Sequence, residues 1–349
     1  HVVSRIAGRQ FLLGDEEREV FVEMMRMYED FCEVKVLSYC VMSNHFHILV
    51  EIPPRLDAEE LSDEAFLRKL GTIYSAGYVK EVKKLMQRLN KNQATKAMRE
   101  LKLKYSYRIG SVSEFMKSLK QRFSRWYNKK HGRRGTLWEE RYSATAVSAG
   151  SAARMVAAYI DLNPMRAGMV QDPKDYRWGS YAVAVAGGSK SFSARKARAA
   201  YLSLHQMASE PGAVVDELTE DESLQRQRML MAEEGEAADT DAQPLTQGER
   251  ASKKFKKRRG YSREEIEAIL AKNGKLSKAE ILRCKTRYFT DGTVIGSKAF
   301  VDGFFSNVKE RLGGDRKLEA KPMRRVKWAG KMAEGKLFSY RDLQKDVYG

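Results

Sequence analysis

Cysteine is scarce in this chain of 349 residues: Cys32, Cys40 and Cys284 are the only three, an odd number with no CxxC spacing. That excludes a disulfide framework and a thiolate zinc site, and it fits a reducing cytoplasm. Long apolar runs are missing too. No stretch approaches the roughly 18–20 apolar residues that a spanning helix needs, so the chain does not read as a membrane protein. No internal repeat is visible. The chain opens on His1 rather than Met, already in strand-forming residues, so the natural start is expected upstream and a leader segment stays open.

Carboxylates are outnumbered. Lys and Arg total 64 against 46 Asp and Glu, a net charge of +18 with a pI near 9.6, and a surplus of that size points to a polyanionic partner, nucleic acid first. With 42% hydrophobic residues, the chain can bury one large core or two smaller ones.

Histidine is also rare, and two of the five fall together in Val41-Met42-Ser43-Asn44-His45-Phe46-His47-Ile48-Leu49-Val50. On a strand, residues i and i+2 share a face about 7 Å apart. His45 and His47 therefore point one way, and Phe46, Ile48, Val50 and Ile52 the other. Two polar residues on the wet side of a half-buried strand are the plainer explanation. A metal-binding pair is the sharper one, and the rest of the chain must decide.

The pattern predicts a strand over Val2–Ile6, a helix over about Glu16–Phe31, and a hairpin with arms Glu33–Val41 and His45–Ile52. Residues 55–106 are charged and helical in period, and read as an insertion. A helix from about Val112 to Lys130 places Phe115, Leu119, Phe123 and Trp126 on one face. A strand over about Thr136–Val147 follows, then a helix from Ser148 or Ser151 to Leu162, stopped at Asn163-Pro164. The order β-α-β-β-α-β-α is an α+β, ferredoxin-like split βαβ pattern with one extra helix. Residues 1–183 are expected to form this domain. Residues 184–260 read as a linker, acidic and then basic (Lys253–Arg259) and partly disordered. Residues 261–349 read as a small, mostly helical domain with helical periods over 264–272, 278–285 and 298–311.

Tyr159 and Asn163 stand at i and i+4 in Tyr159-Ile160-Asp161-Leu162-Asn163-Pro164, which stacks a phenol and a carboxamide on one helical face. Alone, such a tyrosine is usually a core residue. Four ordered motifs add to it: Ser43-Asn44-His45-Phe46-His47; Gly135-Thr136-Leu137-Trp138-Glu139-Glu140-Arg141-Tyr142; Tyr159 to Gly168; and Asp175-Tyr176-Arg177-Trp178-Gly179-Ser180-Tyr181. Together they resemble the REP-associated tyrosine transposases of the HUH single-tyrosine group, over residues 1–183 apart from the insertion.

The resemblance implies a ferredoxin-like catalytic domain that cuts and rejoins single-stranded DNA at short palindromes folded as hairpins. By matching positions, His45 and His47 are its metal-ligand histidines and Tyr159 its nucleophile. Asn163 stands where relatives carry a polar third ligand, often Gln, and is shorter by one methylene. Such a donor set suits Mg²⁺ or Mn²⁺ with open positions. Tyr127 and Tyr142 compete with Tyr159, since both lie in basic surroundings. Two other readings stay open: a metal-dependent nuclease in which water attacks, and a non-catalytic or domesticated DNA-binding regulator.

Between Ser111 and Tyr142 nine cations, Lys117, Lys120, Arg122, Arg125, Lys129, Lys130, Arg133, Arg134 and Arg141, face three carboxylates, with Trp126, Tyr127 and Trp138 interleaved. That mixture suits a single strand, whose phosphates meet cations and whose bases meet rings. The loop His131–Gly135 is the strongest DNA contact by composition, and Arg166 and Arg177 are further candidates. The oligomeric state is not legible.

Overall fold

Alternating apolar residues open the chain as a strand, β1 (Val2–Arg5), and an acidic first turn, Asp15, Glu16 and Glu17, starts helix α1 (Asp15–Cys32). The computed structural model describes residues 1–53, 61–187, 191–208, 217–242, 268, 293–309, 321–322 and 338–340. Strands β2 (Lys35–Val41) and β3 (His45–Glu51) follow as a hairpin, closed where Met42 N donates to His45 O at 2.8 Å. Three helices occupy the charged stretch: α2 (Asp63–Ile73), α3 (Ala76–Lys91) and α4 (Thr95–Ser106), the first two capped by Ser62 and Ser75. Helix α5 (Val112–Lys130) has the expected bounds and is capped by Ser111. The strand expected over 136–147 is broken into β4 (Ser143–Ala144) and β5 (Ala146–Val147), with one isolated bridge from Trp138 to Ile6. Helix α6 (Ser151–Asp161) completes the series.

The sheet order is β2-β3-β1-β4, with β1 antiparallel to both β3 and β4. This is the split βαβ order of an α+β fold, with β3 and β1 at its centre. The Asn163-Pro164 stop is real in a modified form: α6 ends at Asp161, and Pro164 then sits in the first turn of a short helix, α7 (Asn163–Arg166), where a missing N–H is harmless.

Two compact units result. One comprises His1–Gly14, Leu37–Leu49 and the described part of Trp138–Gly349; the other comprises Asp15–Val36 and Val50–Leu137. In the first, the small side chains of α6 (Ala152, Ala153, Val156, Ala157) pack with Leu37, Cys40, Met42 and Leu49 of the hairpin in one buried cluster. In the second, Phe115, Leu119 and Phe123 of α5 are fully buried, and Phe123 meets Phe21 of α1 edge to face at 5.2 Å. The fourth member of that stripe is Tyr127 rather than Trp126, as a strict i+4 step from Phe123 requires.

Downstream, the structure departs from the sequence reading. Helices α8 (Ser180–Ala186), α9 (Phe192–His205) and α10 (Glu220–Ala242) fall within or at the edge of the stretch read as a linker. Ala197, Tyr201 and Leu204 of α9 and Leu224 and Met231 of α10 are buried in the α6 cluster. Its acidic run is a helix start. Glu222 N meets Thr219 Oγ1 at 3.2 Å while Glu222 Oε2 accepts from Thr219 N at 2.8 Å, a capping box, and Glu220 and Asp221 pair with Arg198. The basic block 253–259, the helical periods over 264–272 and 278–285, and the turn at 290–292 lie outside the described residues.

Residues 298–309 form the expected helix, α11 (Lys298–Lys309). The segment also supplies strands the sequence reading did not anticipate: β6 (Val294–Gly296), β7 (Lys321–Pro322) and β8 (Phe338–Tyr340), in a sheet of order β5-β6-β8-β7. Ala146 and Val147 pair in parallel with Val294 and Ile295, so these residues join the first unit instead of standing as a domain of their own. Among the described residues, no helix is long and apolar enough to cross a membrane.

Candidate active site

Cross-strand neighbours in an antiparallel sheet share a face. Val3 of β1 lies opposite His47 and Arg5 opposite His45, so the face that carries the histidine pair also carries His1, Val3 and Arg5. The His45 and His47 rings meet edge to face with centroids 5.1 Å apart. His47 is fully buried and His45 partly exposed. His47 stacks on His1 at 5.2 Å and 16°, and its Nδ1 lies 3.0 Å from His1 Nε2. His45 Nδ1 lies 2.6 Å from Asn44 Oδ1. The Nε2 atoms of both are buried and have no hydrogen-bond partner among the described residues.

Burial, reinforced by the Arg5 and Arg9 guanidinium groups, pushes the His45 imidazole down to about 3. Burial holds His47 well below the usual histidine range, with His45, Arg5 and Arg166 acting in the same direction. Both rings are therefore neutral at pH 7, the form in which imidazole donates a lone pair to a cation.

Helix α6 brings Tyr159 to this pair. Its ring stands edge-on to His47 at 5.7 Å and to His1 at 6.3 Å, and the Arg166 guanidinium lies 4.9 Å from its centroid. Only 3 % of Tyr159 is exposed, so the phenol is held in place rather than presented on the surface. Asn163 is equally buried, and its Nδ2 donates to Tyr159 O at 2.8 Å, which satisfies a carbonyl at the helix end. His45, His47 and Tyr159 are thus brought together, while Asn163 is tied to the Tyr159 backbone.

The competing tyrosines are placed otherwise. Tyr127 is buried in the second unit, stacked on His131 at 4.2 Å, and burial, with Glu17 nearby, raises its phenol. Tyr142 carries Arg141 at 5.7 Å from its ring.

The cations of α5 and its loop differ among themselves. Lys117, Arg125, Lys129 and Arg134 are exposed, and Arg122 and Arg133 are half-buried. Lys120 is buried, 6 % exposed, because it falls beside Leu119 on the packed face; it is corrected from a DNA contact to an interior residue. Lys130 pairs with Glu16 at 2.6 Å and Glu17 at 2.8 Å, and His131 Nε2 lies 3.0 Å from Glu17. Arg122 donates to Ile73 O at 3.1 Å. Gly132 and Gly135 adopt φ of 60° and 88°, left-handed values that explain two glycines in one short loop, and no atom crowds either. In the first unit, Arg141 and Arg177 are exposed and Arg166 half-buried. Trp138 packs on Phe46 at 5.4 Å as a core residue, not as an exposed stacking platform.

Sequence reasoning missed several neighbours. His1 shares its face with His47 by strand alternation, a signal that was available; Asn44 reads only as a turn residue. Asp161 is fully buried and accepts from Gln227 Nε2 at 2.7 Å, Tyr201 Oη at 2.8 Å, Ser38 Oγ at 3.1 Å and Ser180 Oγ at 3.3 Å. Burial pushes its carboxyl up to about 6 against the pull of those bonds. It ties the tyrosine helix to β2, α8, α9 and α10, and no periodicity announces it.

Over the segments that build this sheet and its helices, residues 1–94 and 106–163, the chain matches the model of a transposase family. The class consists of enzymes that cleave and rejoin DNA. The family itself is the IS200-like transposases, and it is the N-terminal part of the chain, β1 through Asn163, that is similar to it. The gap at 95–105 falls in α4, while α2 and α3 lie inside the match. No curated protein and no solved structure matches the chain.

Proposed function

We propose that this chain is a single-tyrosine HUH transposase of the REP-associated type, which nicks and rejoins single-stranded DNA at palindromic hairpins through a 5′-phosphotyrosine. One observation carries the reading: Tyr159 stands in ring contact with His47, itself in contact with His45, although the histidines and the tyrosine are separated by more than a hundred residues.

Two neutral imidazoles with unpartnered buried Nε2 atoms fit a divalent cation, Mg²⁺ or Mn²⁺, and Asn163 is the further donor that the resemblance of its motif implies. No group of three or more His, Cys, Asp or Glu side chains that could hold a metal occurs among the described residues, so the remaining positions fall to Asn163, water or the DNA itself. When bound, the ion polarises the scissile phosphate and neutralises charge on the leaving oxygen.

Tyr159 Oη then forms a bond to phosphorus as the bond from phosphorus to the 3′ oxygen breaks. The phenol loses a proton and the leaving oxygen gains one, so no net proton is consumed. Arg166, above the ring, lowers the cost of charge developing on the phenol. The phosphotyrosine conserves the phosphodiester bond, so a second 3′-hydroxyl reverses the step and joins a new strand without ATP. Exposed cations on α5 and its loop, with Arg141 and Arg166 of the first unit, provide phosphate contacts. Location in the cytoplasm follows from the same reading, since the substrate is cellular DNA.

The test is incubation of the chain with labelled hairpin single-stranded DNA and Mn²⁺ or Mg²⁺, resolved on a denaturing gel. A protein-linked 5′ end that disappears in Tyr159→Phe is expected. Cleavage at an unchanged rate in Tyr159→Phe, with no adduct in either protein, would instead favour attack by water.

A further inference from the structure

The protons on the histidine pair can be placed from their partners. Asn44 Nδ2 donates to the Arg9 carbonyl at 3.1 Å, and a carbonyl can only accept. The other end of that amide, Oδ1, is therefore the atom 2.6 Å from His45 Nδ1, and Nδ1 must carry the hydrogen. A neutral ring has one hydrogen, so His45 Nε2 is a bare lone pair. At His47, Nδ1 lies 3.0 Å from His1 Nε2, and one of the two nitrogens must donate. Were it His1, the single hydrogen of His47 would sit on Nε2, a buried donor with no acceptor. Orphaned buried N–H groups are rarer than under-used acceptors. Donation from His47 Nδ1 to His1 Nε2 avoids one.

We infer that His1 and Asn44 are positioning residues: they fix His47 and His45 in the Nδ1–H tautomer and turn both Nε2 lone pairs towards the one task left to them, holding a cation. The inference rests on the metal-dependent reading above, and it adds two residues that touch neither metal nor DNA. Second partners of this kind orient a ligand histidine and raise its basicity, and their loss typically costs about 10–100-fold in metal affinity. His1 also stacks on His47, so its ring fixes the plane as well as the proton.

The experiment uses the full chain labelled with ¹⁵N-histidine. Long-range ¹H–¹⁵N spectra of the metal-free protein at pH 7.5 report the tautomer of each of five histidines directly, and Mn²⁺ titration gives the affinity. His45 and His47 are expected as Nδ1–H. His1→Phe keeps a ring to stack but offers no acceptor; His47 should shift to the Nε2–H form, and Mn²⁺ should bind about 10–100-fold more weakly. His1→Gln restores an acceptor and should recover most of the loss. Asn44→Leu should act on His45 in the same way, and Asn44→Asp, which keeps the acceptor, should not. A wild-type His47 found as Nε2–H, or a folded His1→Phe with unchanged tautomer and affinity, overturns the inference. Nδ1–H tautomers that respond to His1→Phe in a chain that binds no Mn²⁺ would support the positioning roles while removing the metal reading.

Discussion

The two units treat charge in opposite ways. In the first unit, the His45 and His47 Nε2 atoms are buried and belong to neutral rings, whereas along α5 most of the charged groups are at the surface and several are already paired, Lys130 with Glu16 and Glu17 and Lys117 with Glu114. On the proposed function, burial readies the first region for a cation. Desolvation keeps the imidazoles unprotonated, and a lone pair in a dry site gains most from a cation. On the same proposal, exposure suits the second region to phosphates, because counterion release needs solvated charge. A surface cation tied to a carboxylate has little left to offer, so charge count alone overstates the DNA-binding power of α5.

Separating the two regions experimentally should give effects of different kind and size. The largest is at the histidines: His45→Ala or His47→Ala should lower cleavage about a thousandfold, the loss of several kcal/mol of charge stabilisation, with single-strand affinity in the absence of metal unchanged. Equal loss of affinity and cleavage would merge the two regions into one. Next, Arg133→Ala with Arg134→Ala should weaken single-strand binding and reduce its salt slope by about 0.7 per lost phosphate contact, leaving cleavage at saturating DNA intact; titrations at several salt concentrations read this.

A smaller change, of the opposite sign, is expected at Glu17. Glu17→Gln removes the buried carboxylate that engages the more exposed Lys130 and His131, and should raise single-strand affinity about twofold, in line with the modest value of ion pairs near the surface. An unchanged affinity would mean that Lys130 faces no DNA at all. The last effect is on stability rather than binding and concerns acid behaviour. Asp161 keeps its proton in the folded chain up to about pH 6, whereas the unfolded chain loses it near 3.8. Between those values the folded state binds more protons, so the contribution of Asp161 to stability falls as pH rises. Asp161→Asn abolishes that fall, and the stability of the variant relative to the wild type should improve from pH 4 to pH 6 in denaturant titrations.

How much of this was visible in the residues follows their physics. Strand alternation placed His45 and His47 on one face, and the i+4 step placed Asn163 over Tyr159, because both periods are local. The α5 stripe is legible apart from its last member, since both Trp126 and Tyr127 are aromatic and only the strict i+4 step from Phe123 points to Tyr127. Two segments read differently in the sequence and in the fold. The acidic stretch from Glu220 is a helix start with a capping box at Thr219 and Glu222, yet it reads as solvated linker when counted only by charge. Strand β6, Val294–Gly296, is only three residues long, too short to stand out beside the longer helical period that follows. His1, Asn44 and Asp161 act through side-chain hydrogen bonds, across strands or between helices far apart in sequence, and no linear pattern carries that information.

The central claim is that Tyr159, beside the histidine pair, is the nucleophile, and mapping the covalent adduct tests it most directly. After reaction with a hairpin single strand and Mn²⁺, nuclease trimming and tryptic digestion, mass spectrometry should find the nucleotide on the peptide spanning residues 155–166, which holds Tyr159 as its only tyrosine. A nucleotide on residues 126–129 would assign the chemistry to Tyr127 in the other unit and contradict it.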